Sequence, residues 1–282
     1  MTETSKRRIP SHLDGLVVAE VPRETVPAPT HDQPARTVLR SVEGIDRPHD
    51  AKLLERLAAA TPSRVAAGRT GTRYRTETYL ALRADHAIAK DAVHAELPAE
   101  LAETLGCIEV ASACKDREHY LLQPNHGRRL SEGSRWVLEQ RGSKGVDVQL
   151  IVADGLAAPA LILQGAELLP LIVEALQRAG LTVGTPILAR LARVGLQDDI
   201  GVLLGAKATA ICLGERPGLG TGDSLSIYLA VAPRLDQDNA EKNCISNIRP
   251  QGMSPRNAAA LAAELLSRGI AAGRGGLSLA QT

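Results

Sequence analysis

The sequence predicts an α/β fold, a Rossmann-like parallel sheet flanked by helices, behind a helical N-terminal region and a disordered N-terminal tail. Three observations lead there. Apolar runs bounded by Gly, Pro or Asp, such as residues 146–156 and 208–213, have the length of buried strands and fall far short of a membrane span. Between them lie stretches with apolar residues three and four apart, the pattern of helices that cover a sheet. At 282 residues the chain is near the upper size of one domain, and two would also be ordinary. The expected divisions are a tail over 1–44, a mostly helical region over 45–140 and a Rossmann-like domain over 141–282.

Residues 1–44 are rich in Pro, Thr, Arg, Glu and Asp, with isolated apolar residues around Leu16-Val17-Val18. Such a composition buries too little surface to offset chain entropy, hence the expected disorder. After Asp50, residues Leu53, Leu54, Leu57 and Ala58 share one helical face, and Thr61-Pro62 ends it. The stretch 64–71 is basic and punctuated by Gly68 and Gly71; without GxxxxGK[ST] it reads as a solvated turn rather than a phosphate cradle. Residues 76–94 form the next helix, with Leu80, Ala84, Ala87 and Ile88 as its buried stripe. A short strand over 107–113, a charged turn over 116–120 and a helix over 131–140 follow.

The second half alternates more regularly. The strand at 146–156 ends in Asp154-Gly155, where an α/β sheet presents a ligand crevice. The next helix has Ile172, Ala175, Leu176 and Ala179 inward and Gly180 as its stop. A strand begins at Pro186, and Asp198 and Asp199 suit the N-terminus of a short helix. Residues 208–213 and 225–232 are further strands. Ser254-Pro255 starts a last helix that buries Ala258, Leu261, Ala262 and Leu265, with Gly269 after it.

Charge is nearly balanced, 33 Lys+Arg against 32 Asp+Glu, which gives no case for nucleic acid or a membrane as partner. The N-terminus lacks the apolar core of a signal peptide. Cys107, Cys114, Cys212 and Cys244 have no CxxC or zinc-ligand spacing, so reduced thiols in a soluble cytoplasmic protein are expected. His86 and His94 read as surface residues, and no metal site is assigned. Phenylalanine is absent, so Leu, Ile, Val and Ala must fill the core.

The stretch that says most is Gly214-Glu215-Arg216-Pro217-Gly218-Leu219-Gly220, with its echo Asn243-Cys244-Ile245-Ser246-Asn247-Ile248. A strand that stops in a loop of a carboxylate, a guanidinium, a proline and glycines has been cut open for a ligand. Glycines at 218, 220 and 222 admit left-handed dihedrals and close approach, and Pro217 stiffens the loop. An ordinary Gly/Pro turn fits the pattern equally well. A dinucleotide fingerprint does not, because Gly218 to Asp223 lacks the third glycine and opens toward a strand. GxSxG is missing too, and no nucleophile, base and orienting group come together, so no catalytic residue is assigned.

Taken with Val152 to Leu156, Arg193-Val194, Asp198 before Ile200-Gly201, Ser224-Leu225 and Pro233-Arg234, the loop and its echo resemble the small (light) subunit of ethanolamine ammonia-lyase. The N-terminal half agrees at Thr61 to Val65, Gly68 to Gly71, Asp85-His86, Asp91 to His94, Asp116-Arg117 and Tyr120-Leu121. The resemblance implies a Rossmann-like subunit paired with a TIM-barrel large subunit that holds ethanolamine. It also implies adenosylcobalamin between them and radical deamination to acetaldehyde and ammonia.

By the same resemblance the cofactor-binding residues are Val194, Glu215 and Cys244, with Arg193 and Arg216 as second candidates for cofactor or partner. Val194 would offer apolar surface, Glu215 would accept from the corrin carboxamides, and Cys244 is compact enough for close approach. On spacing alone Cys244 reads as a buried core thiol. No DxHxxG stretch occurs, which fits a cofactor that keeps its own base as lower ligand. Ala192 stands where family members often have Gly. The implied location is the cytoplasm or a bacterial microcompartment, although the tail does not match the family closely. Two rivals stand beside this reading. One is a stand-alone Rossmann-like nucleotide- or small-ligand-binding protein, with Glu215 bonding a ribose. The other is a structural partner that never touches the cofactor.

Overall fold

A computed structural model describes residues 45, 47–61 and 63–281; the tail expected over 1–44 lies outside the described residues. Helix α1 (Ala51–Ala59) is capped by Asp50, whose carboxylate accepts the Leu53 N–H at 2.9 Å. It buries none of its residues. The stretch expected to be a solvated turn contains the first strand of a small hairpin, β1 (Arg69–Thr70) with β2 (Arg73–Tyr74).

Helix α2 (Thr76–His94) has the predicted bounds but turns a different face inward. Asp85, Ala89 and Ala92 are buried, whereas Leu80, Ala84 and Ala87 are exposed. An apolar count misses this face because its central residue is charged: Asp85 is neutralised by an ion pair with Arg64.

Helix α3 (Leu101–Thr104) precedes β3 (Ile108–Ala111). The charged turn expected at 116–120 is instead the start of α4 (Arg117–Leu122), because Asp116 caps it by accepting the His119 N–H at 2.7 Å. Ser131 caps α5 (Glu132–Arg141) in the same way, accepting from Ser134 N–H at 3.2 Å. Then come β4 (Val148–Ala153), α6 (Ala158–Arg178), β5 (Ile187–Arg190), α7 (Leu196–Leu204) and β6 (Ala208–Gly214). Strands β7 (Leu225–Val231) and β8 (Lys242–Ile248) and helix α8 (Pro255–Ala272) complete the chain.

The six-stranded sheet has the order β3-β5-β4-β6-β7-β8. The parallel arrangement expected throughout covers the first four strands, while the pairings of β6 with β7 and of β7 with β8 are antiparallel. The loop 215–224 is too short for the crossover that a parallel β7 would need. Strand β8 is not legible as a strand in sequence, because only Lys242, Ile245 and Ile248 of it are buried.

Two cores sit on the two faces of the sheet. Leu150 and Val152 of β4 pack with α6 and α8, and the alternate residues Ile151 and Ala153 pack with α5 and α7. Helix α6 is long and apolar enough, by length and composition, to cross a membrane, but Leu161, Leu168, Ile172 and Leu176 bury it in the core. Its expected stripe ends early, since Ala179 is the exposed C-cap. In α8, Ala258 and Ala262 are buried and Leu261 and Leu265 half-buried. Gly269 lies inside that helix, where a Cβ would be 2.7 Å from a Val231 methyl, and the left-handed cap is Gly273 (φ 65°).

Candidate functional site

The parallel strands end together at one edge of the sheet, and a cavity of about 500 Å³ opens there. Leu156 reaches it after β4, Arg193 and Val194 after β5, and Leu213 to Arg216 at the end of β6. Tyr120 of α4, Ser226 and Tyr228 of β7, and Cys244 and Ser246 of β8 close the lining.

The wall on the parallel side is held through the backbone. Gly155 and Gly214 must approach closely: a methyl on either would overlap carbonyl oxygen of the facing segment. Leu156 N–H donates to Gly214 O at 2.9 Å across this contact, and Gly155 has φ 57°. Beside it the buried Asp154 carboxylate accepts from Leu191 N–H at 2.9 Å and from Ala192 N–H at 3.1 Å. Leu191 is left-handed, with φ 55°. Burial pushes the Asp154 carboxyl up, opposed by the Leu191 N–H and the Arg117 charge.

Tyr120 is fully buried between two guanidiniums, Arg193 at 4.1 Å and Arg117 at 4.7 Å from its ring centre. Its hydroxyl donates to Ala192 O at 3.1 Å, and burial pushes the phenol up. Arg193 Nη2 donates to Tyr120 O at 2.9 Å, while its Nε is buried without a partner among the described residues. Ala192 is itself fully buried and does not line the cavity, so its extra methyl sits behind the wall.

The antiparallel wall offers side chains. Glu215 Oε1 accepts from the Ser226 hydroxyl at 2.6 Å and from Asn247 N–H at 2.8 Å. These bonds tie the β6 exit to both later strands. Glu215 Oε2 has no hydrogen bond among the described residues, so an acceptor remains for a ligand.

Cys244 pairs in register with Tyr228 and is exposed, which corrects its reading as a core thiol. Desolvation raises its pKa against the hydrogen bonds from Tyr228 and Ser226, so it stays a thiol at neutral pH. Burial likewise pushes the Tyr228 phenol up to about 12. Val194 is half-buried, with one side on the core and the cavity on the other.

The loop after Glu215 is less left-handed than its glycines suggest. Of Gly218, Gly220 and Gly222 only Gly220 has positive φ (74°). A Cβ on Gly222 would lie 3.1 Å from that of Ala92, and one on Gly220 would lie 3.5 Å from Asp85 Oδ1, so the loop rests on α2.

The two aspartates expected to serve the α7 N-terminus are in its first turn, but their carboxylates are spent elsewhere. Asp198 forms a buried ion pair with Lys242 of β8 at 2.9 Å. Asp199 accepts from Leu130 N–H at 2.9 Å and from Arg135 at 2.6 Å.

All three residues singled out in sequence, Val194, Glu215 and Cys244, therefore line one cavity, as do Arg193 and Arg216. Sequence reasoning missed the roles of Tyr120, Ser226, Tyr228 and Ser246. A usable signal was the spacing by two in Ser226 and Tyr228, and again in Cys244 and Ser246, which places each pair on one face of a strand. The family model of the ethanolamine ammonia-lyase light chain (EutC) matches residues 51–280, a span that includes every residue of both walls. The chain belongs to the ethanolamine ammonia-lyase light chain family.

Proposed function

We propose that this chain is the adenosylcobalamin-contacting light subunit of the lyase, active only with a large subunit that holds ethanolamine. The observation that carries the reading is the convergence of Val194, Glu215 and Cys244 on one cavity from three separate elements. The chemistry of the lining fits the group. A corrin is a broad apolar ring fringed with carboxamides; Val194 and Leu156 supply apolar surface, and Glu215 Oε2 is a spare acceptor for an amide N–H. A corrinoid is also far larger than about 500 Å³, so this chain takes one face and the partner closes the rest.

When bound, the cofactor supplies cobalt–carbon homolysis and hence the radical that deaminates ethanolamine to acetaldehyde and ammonia. This chain's part is to bind and orient. Val194 excludes water from one side of the ring, Glu215 fixes a carboxamide arm, and Cys244 lies close as a neutral thiol. Arg193 and Arg216 add positive charge to the rim, for the cofactor or the partner. In this reading the strands of residues 141–282, extended by β3, act as a Rossmann-like frame for the cofactor, the helices of residues 45–140 act as its cover, and the complex works in the cytoplasm or a microcompartment.

The test is co-purification with the large subunit, followed by titration with adenosylcobalamin through the corrin absorbance and an ammonia-release assay on ethanolamine. Cofactor-dependent ammonia release is expected. Glu215→Ala should weaken cofactor affinity by about tenfold while the complex stays intact, the effect of losing one charge-assisted hydrogen bond. An intact complex whose affinity ignores Glu215→Ala and Cys244→Ala would favour a purely structural partner. Specific ATP or NAD binding by the chain alone would favour a nucleotide-binding protein.

A further inference from the structure

We infer that Asp154 is a positioning residue: its buried carboxylate fixes the left-handed turn at Leu191 and so sets where Arg193 and Val194 stand in the cavity. The inference rests on the cobalamin reading above. Asp154 is 4% exposed and does not line the cavity, so it acts through the turn and not on a ligand.

Its two oxygens are divided between successive backbone donors, Oδ2 to Leu191 N–H at 2.9 Å and Oδ1 to Ala192 N–H at 3.1 Å. A leucine at φ 55° is disfavoured unless its surroundings impose the conformation. Here the carboxylate imposes it from the amide side, and the Tyr120 hydroxyl holds the Ala192 carbonyl at 3.1 Å from the other.

The counter-ion is part of the same device. Arg117 reaches Asp154 Oδ2 at 3.4 Å and Gly155 O at 2.9 Å through Nη1, and Val93 O at 2.6 Å through Nε. Its guanidinium also covers the face of Tyr120 at 4.7 Å, and Arg193 covers the same ring at 4.1 Å. Arg193 N–H is then pinned to Gly127 O at 2.8 Å. A buried carboxylate is costly to desolvate, and this one satisfies the backbone amides of Leu191 and Ala192. The side chain of Val194, the next residue, has no polar group to fix its direction, so the backbone of the turn sets it.

The experiment uses the full chain in complex with the large subunit, comparing wild type, Asp154→Asn and Tyr120→Phe. Asparagine keeps the volume but points an amide N–H at one of the two backbone N–H groups, so one hold on the turn is lost. Phenylalanine removes only the hydroxyl. Cofactor dissociation constant, ethanolamine KM at saturating cofactor, and recovery of intact complex are measured together. Asp154→Asn should raise the adenosylcobalamin dissociation constant at least about tenfold, and Tyr120→Phe about threefold, with ethanolamine KM unchanged.

A merely structural role would reduce the amount of complex and leave its cofactor affinity unchanged, which would overturn the inference. If Asp154→Asn yields no folded complex, Tyr120→Phe decides: a raised dissociation constant supports the inference and an unchanged one overturns it. A wild-type complex that binds no adenosylcobalamin would remove the functional reading and this inference with it. Wild-type binding with unaltered variants removes the inference alone.

Discussion

From β4, β5 and β6 the cavity receives turns held by backbone contacts; from β7 and β8 it receives side chains held by one another. On the parallel side Gly155 meets Gly214, Asp154 grips two amides, and Leu191 is forced left-handed. On the antiparallel side Glu215 joins Ser226 and Asn247, and Tyr228 lies opposite Cys244. The difference assigns tasks. Backbone turns define a rigid position that tolerates almost no change of size, whereas strand side chains on alternating positions can be exchanged with little disturbance to the ladder.

The two sides are joined by the buried pair Asp198–Lys242, and breaking it should have the largest effect on stability. Lys242→Met leaves Asp198 as an uncompensated buried charge and should cost about 3–5 kcal/mol in denaturant unfolding. A loss under about 1 kcal/mol would mean that β8 is not tied to α7 through this pair. Next is the backbone meeting point. Gly214→Ala has no space for its methyl and should cost about 1–3 kcal/mol while also weakening cofactor binding, because the wall at Leu156 must shift.

How much of this was legible follows the same division. The parallel strands are nearly pure apolar runs between turn residues, so periodicity finds them, and Thr76–His94 is bounded by ordinary helix signals. Strand β8 hides because its register leaves Cys244, Ser246 and Asn247 exposed, and β7 reads as a strand without revealing its direction. The inward face of α2 hides because Asp85 breaks the apolar pattern and is made tolerable by Arg64, a partner distant in sequence. Val194, Glu215 and Cys244 came from resemblance to a family, whereas the Asp154 and Tyr120 supports depend on contacts that no local pattern encodes.

Titration offers a smaller effect that sharpens the contrast. Burial pushes Cys212 of β6 up to about 12 and Tyr228 of β7 up to about 12. In the unfolded chain the thiol ionises near its ordinary value of 9.0, while the folded one stays protonated, so the folded state binds more protons between those values. Stability is therefore full below about pH 9 and falls as pH rises toward about 12. Unfolding midpoints taken from about pH 8 to about pH 11 should decline, and Cys212→Ala should flatten the decline. The smallest effect belongs to α2. Leu80 is 59% exposed, so Leu80→Ser should change unfolding free energy by no more than about 0.5 kcal/mol; a core-sized loss would restore the face that periodicity favours.

The central claim is that the meeting of these two walls is the cofactor face. It is tested most directly by the adenosylcobalamin dissociation constant of the complex with the large subunit, wild type beside Val194→Asp. A carboxylate on the apolar patch should raise that constant at least about tenfold with the complex intact, since a charge would have to be desolvated against the ring. Equal affinity in the two complexes would contradict the account and place the cofactor elsewhere.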